Sequence, residues 1–218
     1  EVGTPFANIT AIVYKEQESG YLAGYAVVKE GYEKLGFTAG GGGTNPACNR
    51  FGYGFVQGAN AAAAELGKTV TIKYSYKFGD NFSASSELQA QIASWYAAGT
   101  EVVFACGGSM FDSVKSAAAE YKDRNVKIVG VDTDQSGESE QVITSAVKEL
   151  ATSVDIVLTQ FYGGEWDSKL AGKTQNLGAA ENATGLPTAT WRLTNFTVEQ
   201  YKEVFEKIKN GTIVPDAN

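Results

Sequence analysis

No histidine occurs among the 218 residues, and this absence removes more chemistry than any other feature of the sequence. It excludes Ser-His-Asp and Cys-His nucleophilic catalysis, the common zinc sites and the usual general base near neutral pH. Cysteine is almost as scarce, with Cys48 and Cys106 the whole complement. They make no metal-ligand spacing and no disulfide framework. Two free, partly buried thiols are expected, with a single bridge between them as the alternative. Positive charge is short as well. Eighteen Lys and Arg face 25 Asp and Glu, giving a formal net charge of −7. That argues against nucleic acid as the main partner, because phosphate binding wants a basic surface. No stretch approaches the roughly 20 apolar residues that a membrane helix needs. The sequence opens on Glu1 without methionine, signal peptide or lipobox, as expected of a processed chain.

What is present is ordinary globular composition, 43% hydrophobic and 20% charged, in a pattern that alternates strand and helix. Ile9–Tyr14 reads as a strand and Glu16–Glu33 as a helix with Tyr21, Leu22, Tyr25 and Val28 on one stripe. Leu35–Thr38 is a strand, followed by a glycine-rich loop and a helix over Phe51–Leu66. Strand Val70–Tyr76 leads to a helix from about Ser83 to Ala98, with cap chemistry at its serine-rich start. Strand Val102–Ala105, helix Met110–Tyr121 and strand Lys127–Val131 continue the cycle. Val142–Ala146 then leads into a helix over Lys148–Tyr162. Strands separated by helices of this length imply an open parallel sheet covered on both faces. In the tail, Thr174–Leu177 fits an edge strand, Gly185–Leu193 is irregular and Val198–Lys209 is an amphipathic helix. A lone strand and helix at the start have no sheet of their own. Residues 1–34 are therefore expected to be a remnant of one lobe and its hinge, 35–166 a complete α/β lobe, and 167–218 a return to the first lobe with a C-terminal helix.

In open α/β sheets, ligands bind beyond the carboxyl ends of the strands. The segments that follow the strands are Gly40–Arg50, Lys77–Phe82, Cys106–Ser109 and Asp132–Gln135, with Thr144–Lys148 closing the series. Their contents suit a neutral polar ligand with one flat apolar part. Asp132 can accept two charge-assisted hydrogen bonds from a vicinal diol, at roughly 1.5–3 kcal/mol each. Arg50 and Lys148 are donors able to bracket the same sugar and neutralise Asp132. Phe78 offers a stacking face, and Gly107 and Gly108 let a ligand approach the backbone closely. Each has a plainer reading. Asp132 serves equally as a turn cap, Lys148 as an exposed helix start, and Phe78 and Phe82 as core. Tyr21, Tyr25, Trp95 and Tyr96, at helical spacing, read as packing.

Enzyme readings fare poorly. Gly67-Lys68-Thr69 and Gly172-Lys173-Thr174 end like a phosphate-binding P-loop, but Ala62 and Asp167 stand where its first glycine belongs. Gly40–Gly43 continues into Thr-Asn-Pro, which makes a dinucleotide site improbable. Asp132 and Asp134 remain as a weak metal or hydrolytic pair. No cofactor is expected.

Five segments together resemble a known family. They are Glu18–Tyr25, Arg50-Phe-Gly-Tyr-Gly-Phe-Val-Gln-Gly58, Val103-Phe-Ala-Cys-Gly-Gly108, Val129-Gly-Val-Asp-Thr-Asp-Gln135 and Val142-Ile-Thr-Ser-Ala-Val-Lys148. In this order they are similar to the basic membrane protein family of lipoproteins. The resemblance implies a type I periplasmic-binding-protein fold whose lobes close on a purine nucleoside or related solute. It implies no catalysis, delivery of cargo to an ABC permease, and an N-terminal lipid anchor at the outer face of the bacterial cytoplasmic membrane, or a periplasmic location. Carried over residue by residue, Asp132 and Lys148 would hold the ribose, Gly107 and Gly108 line the cleft, and Phe78 contact the base. Arg50 and Phe51 would supply a cleft-facing loop. Family members also carry upstream first-lobe residues that complete the base pocket, so this chain alone is expected to bind weakly or not at all. Gly41–Asn49 is more polar than the family's aliphatic loop. The alternatives are a nucleoside- or sugar-processing hydrolase using Asp132 and Asp134, and a ligand-sensing domain.

Overall fold

Val102–Cys106 is apolar at every position and buried at every position, which marks a strand covered on both faces. In the computed structural model, which describes residues 6–218, it is β4 at the centre of a six-stranded sheet. The elements run β1 (Ala11–Tyr14), α1 (Glu16–Glu30), β2 (Lys34–Ala39), α2 (Pro46–Leu66), β3 (Thr71–Ser75), α3 (Ser86–Ala97) and β4. They continue with α4 (Met110–Glu120), β5 (Lys127–Asp132), β6 (Val142–Lys148), α5 (Leu150–Tyr162), β7 (Thr174–Leu177), β8 (Thr184–Gly185) and α6 (Val198–Lys209).

The large sheet has the order β3-β2-β4-β5-β6-β8, parallel except for the short antiparallel β8. Successive β4 side chains point to opposite faces, as strand geometry requires. Val102, Phe104 and Cys106 join the core under α1 and α2, while Val103 and Ala105 join the core under α3 and α4. The result is the three-layer architecture expected from the strand–helix alternation.

β1 and β7 pair only with each other, in a separate two-stranded parallel sheet. Helix α1 does not side with them. Leu22, Ala23, Ala26 and Val27 are buried in the core that covers the large sheet, and α6 packs there through Tyr201, Val204 and Ile208. Packing therefore does not break at residue 34, because the apolar stripe of α1 faces the six-stranded sheet. Helix α5 differs again: Leu150, Val154, Leu158 and Phe161 are all exposed on it.

Element ends moved for identifiable reasons. Helix α2 starts at Pro46 rather than Phe51, because Asn45 accepts the Cys48 N–H at 3.1 Å and proline is tolerated in a first turn. Helix α3 starts at Ser86, capped by Ser85, whose hydroxyl accepts the Leu88 N–H. Lys148 ends β6 instead of opening a helix. Tyr21, Tyr25, Trp95 and Tyr96 are buried packing residues, as expected.

Candidate functional site

The carboxyl ends of β2, β4, β5 and β6 meet the first turn of α2 at one edge of the sheet. A cavity of about 200 Å³ there is lined by Cys48, Phe51, Phe82, Gly107, Asp132 and Lys148, with Gly108 beside them. A wider cavity of about 740 Å³ lies between β1, β7 and the start of α2, and includes Tyr14, Glu16, Arg50 and Lys148. The two share Asn45, Ala47 and Lys148.

A chain of charges runs through both. Arg50 Nε donates to Glu16 Oε2 at 2.6 Å, and Lys148 Nζ lies 3.3 Å from Glu16 Oε1 and 3.2 Å from Asp132 Oδ1. Glu16 is 3% exposed, so its charge is tolerated only because both cations reach it. Its place in the first turn of α1 also suits the helix dipole. Burial alone would lower the Lys148 pKa, but Asp132 and Glu16 outweigh it and hold the ammonium above its ordinary value. Lys148 Nζ also sits 5.2 Å from the Phe51 ring centre and 5.6 Å from that of Tyr14. Arg50 was expected beside Asp132. It pairs with Glu16 instead, because α2 begins early and carries Arg50 over the N-terminus of α1.

Asp132 is the last residue of β5 and adopts a left-handed backbone with φ of 65°. That conformation is uncommon without glycine, and strain of this kind collects at ligand sites. The Gln135 side chain steadies the turn by accepting the Val131 N–H at 2.8 Å. Asp132 keeps 47% of its side chain exposed, while its Oδ1, facing Lys148, is buried without a hydrogen-bond partner, an acceptor left for a ligand in the cavity.

The aromatic of the β3–α3 loop is not the expected one. Phe78 is 43% exposed, has Lys77 Nζ 5.9 Å over its ring, and lines neither cavity. Phe82 takes the place. Its φ is 60°, Ser109 Oγ donates to its carbonyl, and its ring lies where a Cβ on Gly40 or Gly107 would stand. These glycines thus make room for an aromatic side chain as well as for a ligand. Asp134 turns away from the cavity: one oxygen accepts the Ser136 N–H at 2.9 Å and the other the Thr190 hydroxyl at 2.6 Å. The hydrolytic pair therefore loses its second carboxylate. Among the described residues no cluster of three or more potential ligands could hold a metal ion.

Five of the seven expected residues, Phe51, Gly107, Gly108, Asp132 and Lys148, line one small cavity, and Arg50 lines its wider neighbour. Tyr14, which ends β1, and Glu16, two residues on, were not among the expected residues, although they stand at a strand end as the others do. The family model described as ABC transporter substrate-binding protein PnrA-like matches residues 2–218. The chain belongs to this family. PnrA-like proteins are substrate-binding components and not enzymes. The chain is 28% identical to the ABC transporter nucleoside-binding protein BmpA of Lactococcus lactis over 84% of its own length and 54% of that protein's. It is 27% identical to basic membrane protein B of Borreliella burgdorferi, over 97% of its length and 58% of the relative's. It thus spans a little over half the length of these PnrA-like relatives. The fold is shared with an ABC transporter solute-binding protein from Aeropyrum pernix K1, at a TM-score of 0.74 and 20% identity, over 95% of this chain and 66% of that one. It is shared too with a transcriptional activator of the comK gene from Bacillus halodurans, at a TM-score of 0.69 and 16% identity, over 97% and 69% of the two chains.

Proposed function

We propose that the protein is the extracellular solute-binding component of an ABC importer, and that it holds a purine nucleoside or related ribose-bearing solute at the edge between its two sheets. One observation carries the reading: Asp132, with its left-handed backbone, and a half-buried Lys148 are paired in a cavity with an aromatic wall and a glycine floor. Asp132 accepts the two hydroxyls of a ribose diol, Lys148 donates to them, and Phe82 with Phe51 covers the flat base. The cation of the small cavity is already neutralised by carboxylates, which favours an uncharged ligand. Micromolar affinity needs about 8 kcal/mol. Two charge-assisted hydrogen bonds and one stack are of the right size to supply it after ordering costs.

The separate β1–β7 sheet supports assigning these two strands, within residues 1–34 and 167–218, to an incomplete first lobe distinct from the six-stranded one. Delivery to an ABC permease, lipid anchoring and a place at the extracellular face of the cytoplasmic membrane or in the periplasm are proposed from the family and the names of its relatives. Isothermal titration calorimetry tests the ligand class, using the protein with the native residues that flank this chain. Inosine, adenosine and guanosine should bind at micromolar or better, free ribose and inosine monophosphate at least ten-fold more weakly. Tighter binding of the monophosphate, or heat from none of the nucleosides, would contradict the reading.

A further inference from the structure

The cavity holds two groups that the receptor reading does not use. Cys48 stands in the first turn of α2 and Cys106 ends β4, and both side chains line the small cavity. They are 6% and 1% exposed, both free. Cys48 Sγ lies 3.8 Å from the Cys106 carbonyl oxygen, so the two residues meet across the cavity. Two free cysteines lining one small cavity, one sulfur beside the other residue's carbonyl, are placed to approach each other.

We propose that Cys48 and Cys106 are a peroxide-sensitive dithiol whose disulfide forms inside the ligand cavity and reduces its capacity to bind. The roles of the two sulfurs follow from their surroundings. Cys48 stands in the first turn of α2, shares the cavity with the Lys148 ammonium and is the more exposed of the two, and the neighbouring Cys106 side chain and the Lys148 charge hold its thiol below its ordinary pKa, whereas burial pushes Cys106 well up. Cys48 is therefore the attacking thiolate and Cys106 the resolving thiol. The Cys48 sulfur attacks one oxygen of a hydroperoxide and the O–O bond breaks. For hydrogen peroxide, Cys48 becomes a sulfenic acid and the released hydroxide takes a proton to give water. Cys106 then gives up its proton, attacks the sulfenyl sulfur and displaces hydroxide, which leaves as a second water. Two thiols are oxidised to one disulfide as one peroxide is reduced to two waters. A small oxidant suits a cavity of about 200 Å³. The bridge would tie the start of α2, with its neighbours Arg50 and Phe51, to the glycines that follow β4.

The chemistry stands on the two sulfurs alone; only its consequence for binding rests on the receptor reading. The test is intact mass and thiol alkylation of the reduced protein after hydrogen peroxide, with Cys48→Ser and Cys106→Ser variants of unchanged melting temperature alongside. The expected result is joint loss of both thiols with two hydrogens lost from the mass, reversed by dithiothreitol. Cys106→Ser should instead yield a Cys48 sulfenic acid that dimedone traps, and Cys48→Ser should keep Cys106 reduced. Two alkylatable thiols surviving a dose that oxidises free cysteine, or stable oxygen adducts in place of a bridge, would overturn the proposal. The oxidised protein should bind inosine at least about ten-fold more weakly than the reduced one, and equal affinities would remove the regulatory role. Failure of the reduced protein to bind any nucleoside would count against the receptor reading and leave the mass result standing.

Discussion

Replacing Gly58 by valine should destabilise the fold by about 3 kcal/mol or more, among the largest effects available to a single substitution here. A Cβ on Gly58 would lie 1.9 Å from the Tyr21 carbonyl oxygen on α1. The contact recurs along the helix pair. Gly54 faces the Gln17 carbonyl, Gly20 that of Phe51 and Gly24 that of Phe55, at 2.1–2.3 Å from the atoms a Cβ would meet. Backbone oxygens cannot rotate aside, so a side chain at any of these sites must push α1 and α2 apart. That separation would open the core in which Phe51, Phe55 and Leu22 are buried. The gain in helix propensity from glycine to valine, roughly a few tenths of a kcal/mol, is too small to offset it. Gly137→Ala is the control, since nothing lies within 4 Å of its Cβ position, and it should fall within about 0.5 kcal/mol of wild type. Thermal melting checks both. Gly58→Val should drop the midpoint by roughly 6–12 °C for a chain of this length, and equal midpoints for the two variants would contradict the close helix contact.

Glu16→Ala should cost about 2–3 kcal/mol and abolish micromolar nucleoside binding. Removing one member of a buried charge network typically costs 3–5 kcal/mol, because its partners are left uncompensated. Here Arg50 and Lys148 retain 26% and 16% side-chain exposure, so water recovers part of the loss. Glu16→Gln keeps the volume and one acceptor and should lose less. The variant also has a signature in titration. The carboxylates raise the Lys148 pKa, so their attraction stabilises the fold below the unfolded lysine pKa and fades as pH rises through the folded value. Without Glu16 that loss should begin at lower pH. Urea unfolding at neutral and alkaline pH reads both effects, and stability equal to wild type across that range would show that the bridge contributes nothing.

Most of the six-stranded sheet was legible because its signals are local. Val102–Cys106 and Lys127–Asp132 are apolar runs too short for helices, and Thr197 with Gln200 forms the capping box that opens α6. The shared cavity was legible through one topological rule, that strand ends converge, which gathered Phe51, Gly107, Gly108, Asp132 and Lys148 from distant segments. The same rule applied to β1 would have found Tyr14 and Glu16. Asn45-Pro46 likewise spelled a helix start that, read in time, would have placed Arg50 on α2 and near α1. Other features had no local signal. Whether Phe78 or Phe82 enters the cavity depends on two left-handed residues in one loop and on glycines far away in sequence. That α1 covers the large sheet while β1 pairs with β7 depends on partners more than a hundred residues apart.

The sharpest test compares adenosine with 2′-deoxyadenosine by calorimetry, on wild type and on Asp132→Asn. If the Asp132 carboxylate grips the ribose diol, wild type should favour adenosine by about 1.5–3 kcal/mol, and the asparagine variant should bind both nucleosides with nearly equal affinity. A preference for adenosine that persists undiminished in Asp132→Asn would mean that the sugar lies elsewhere.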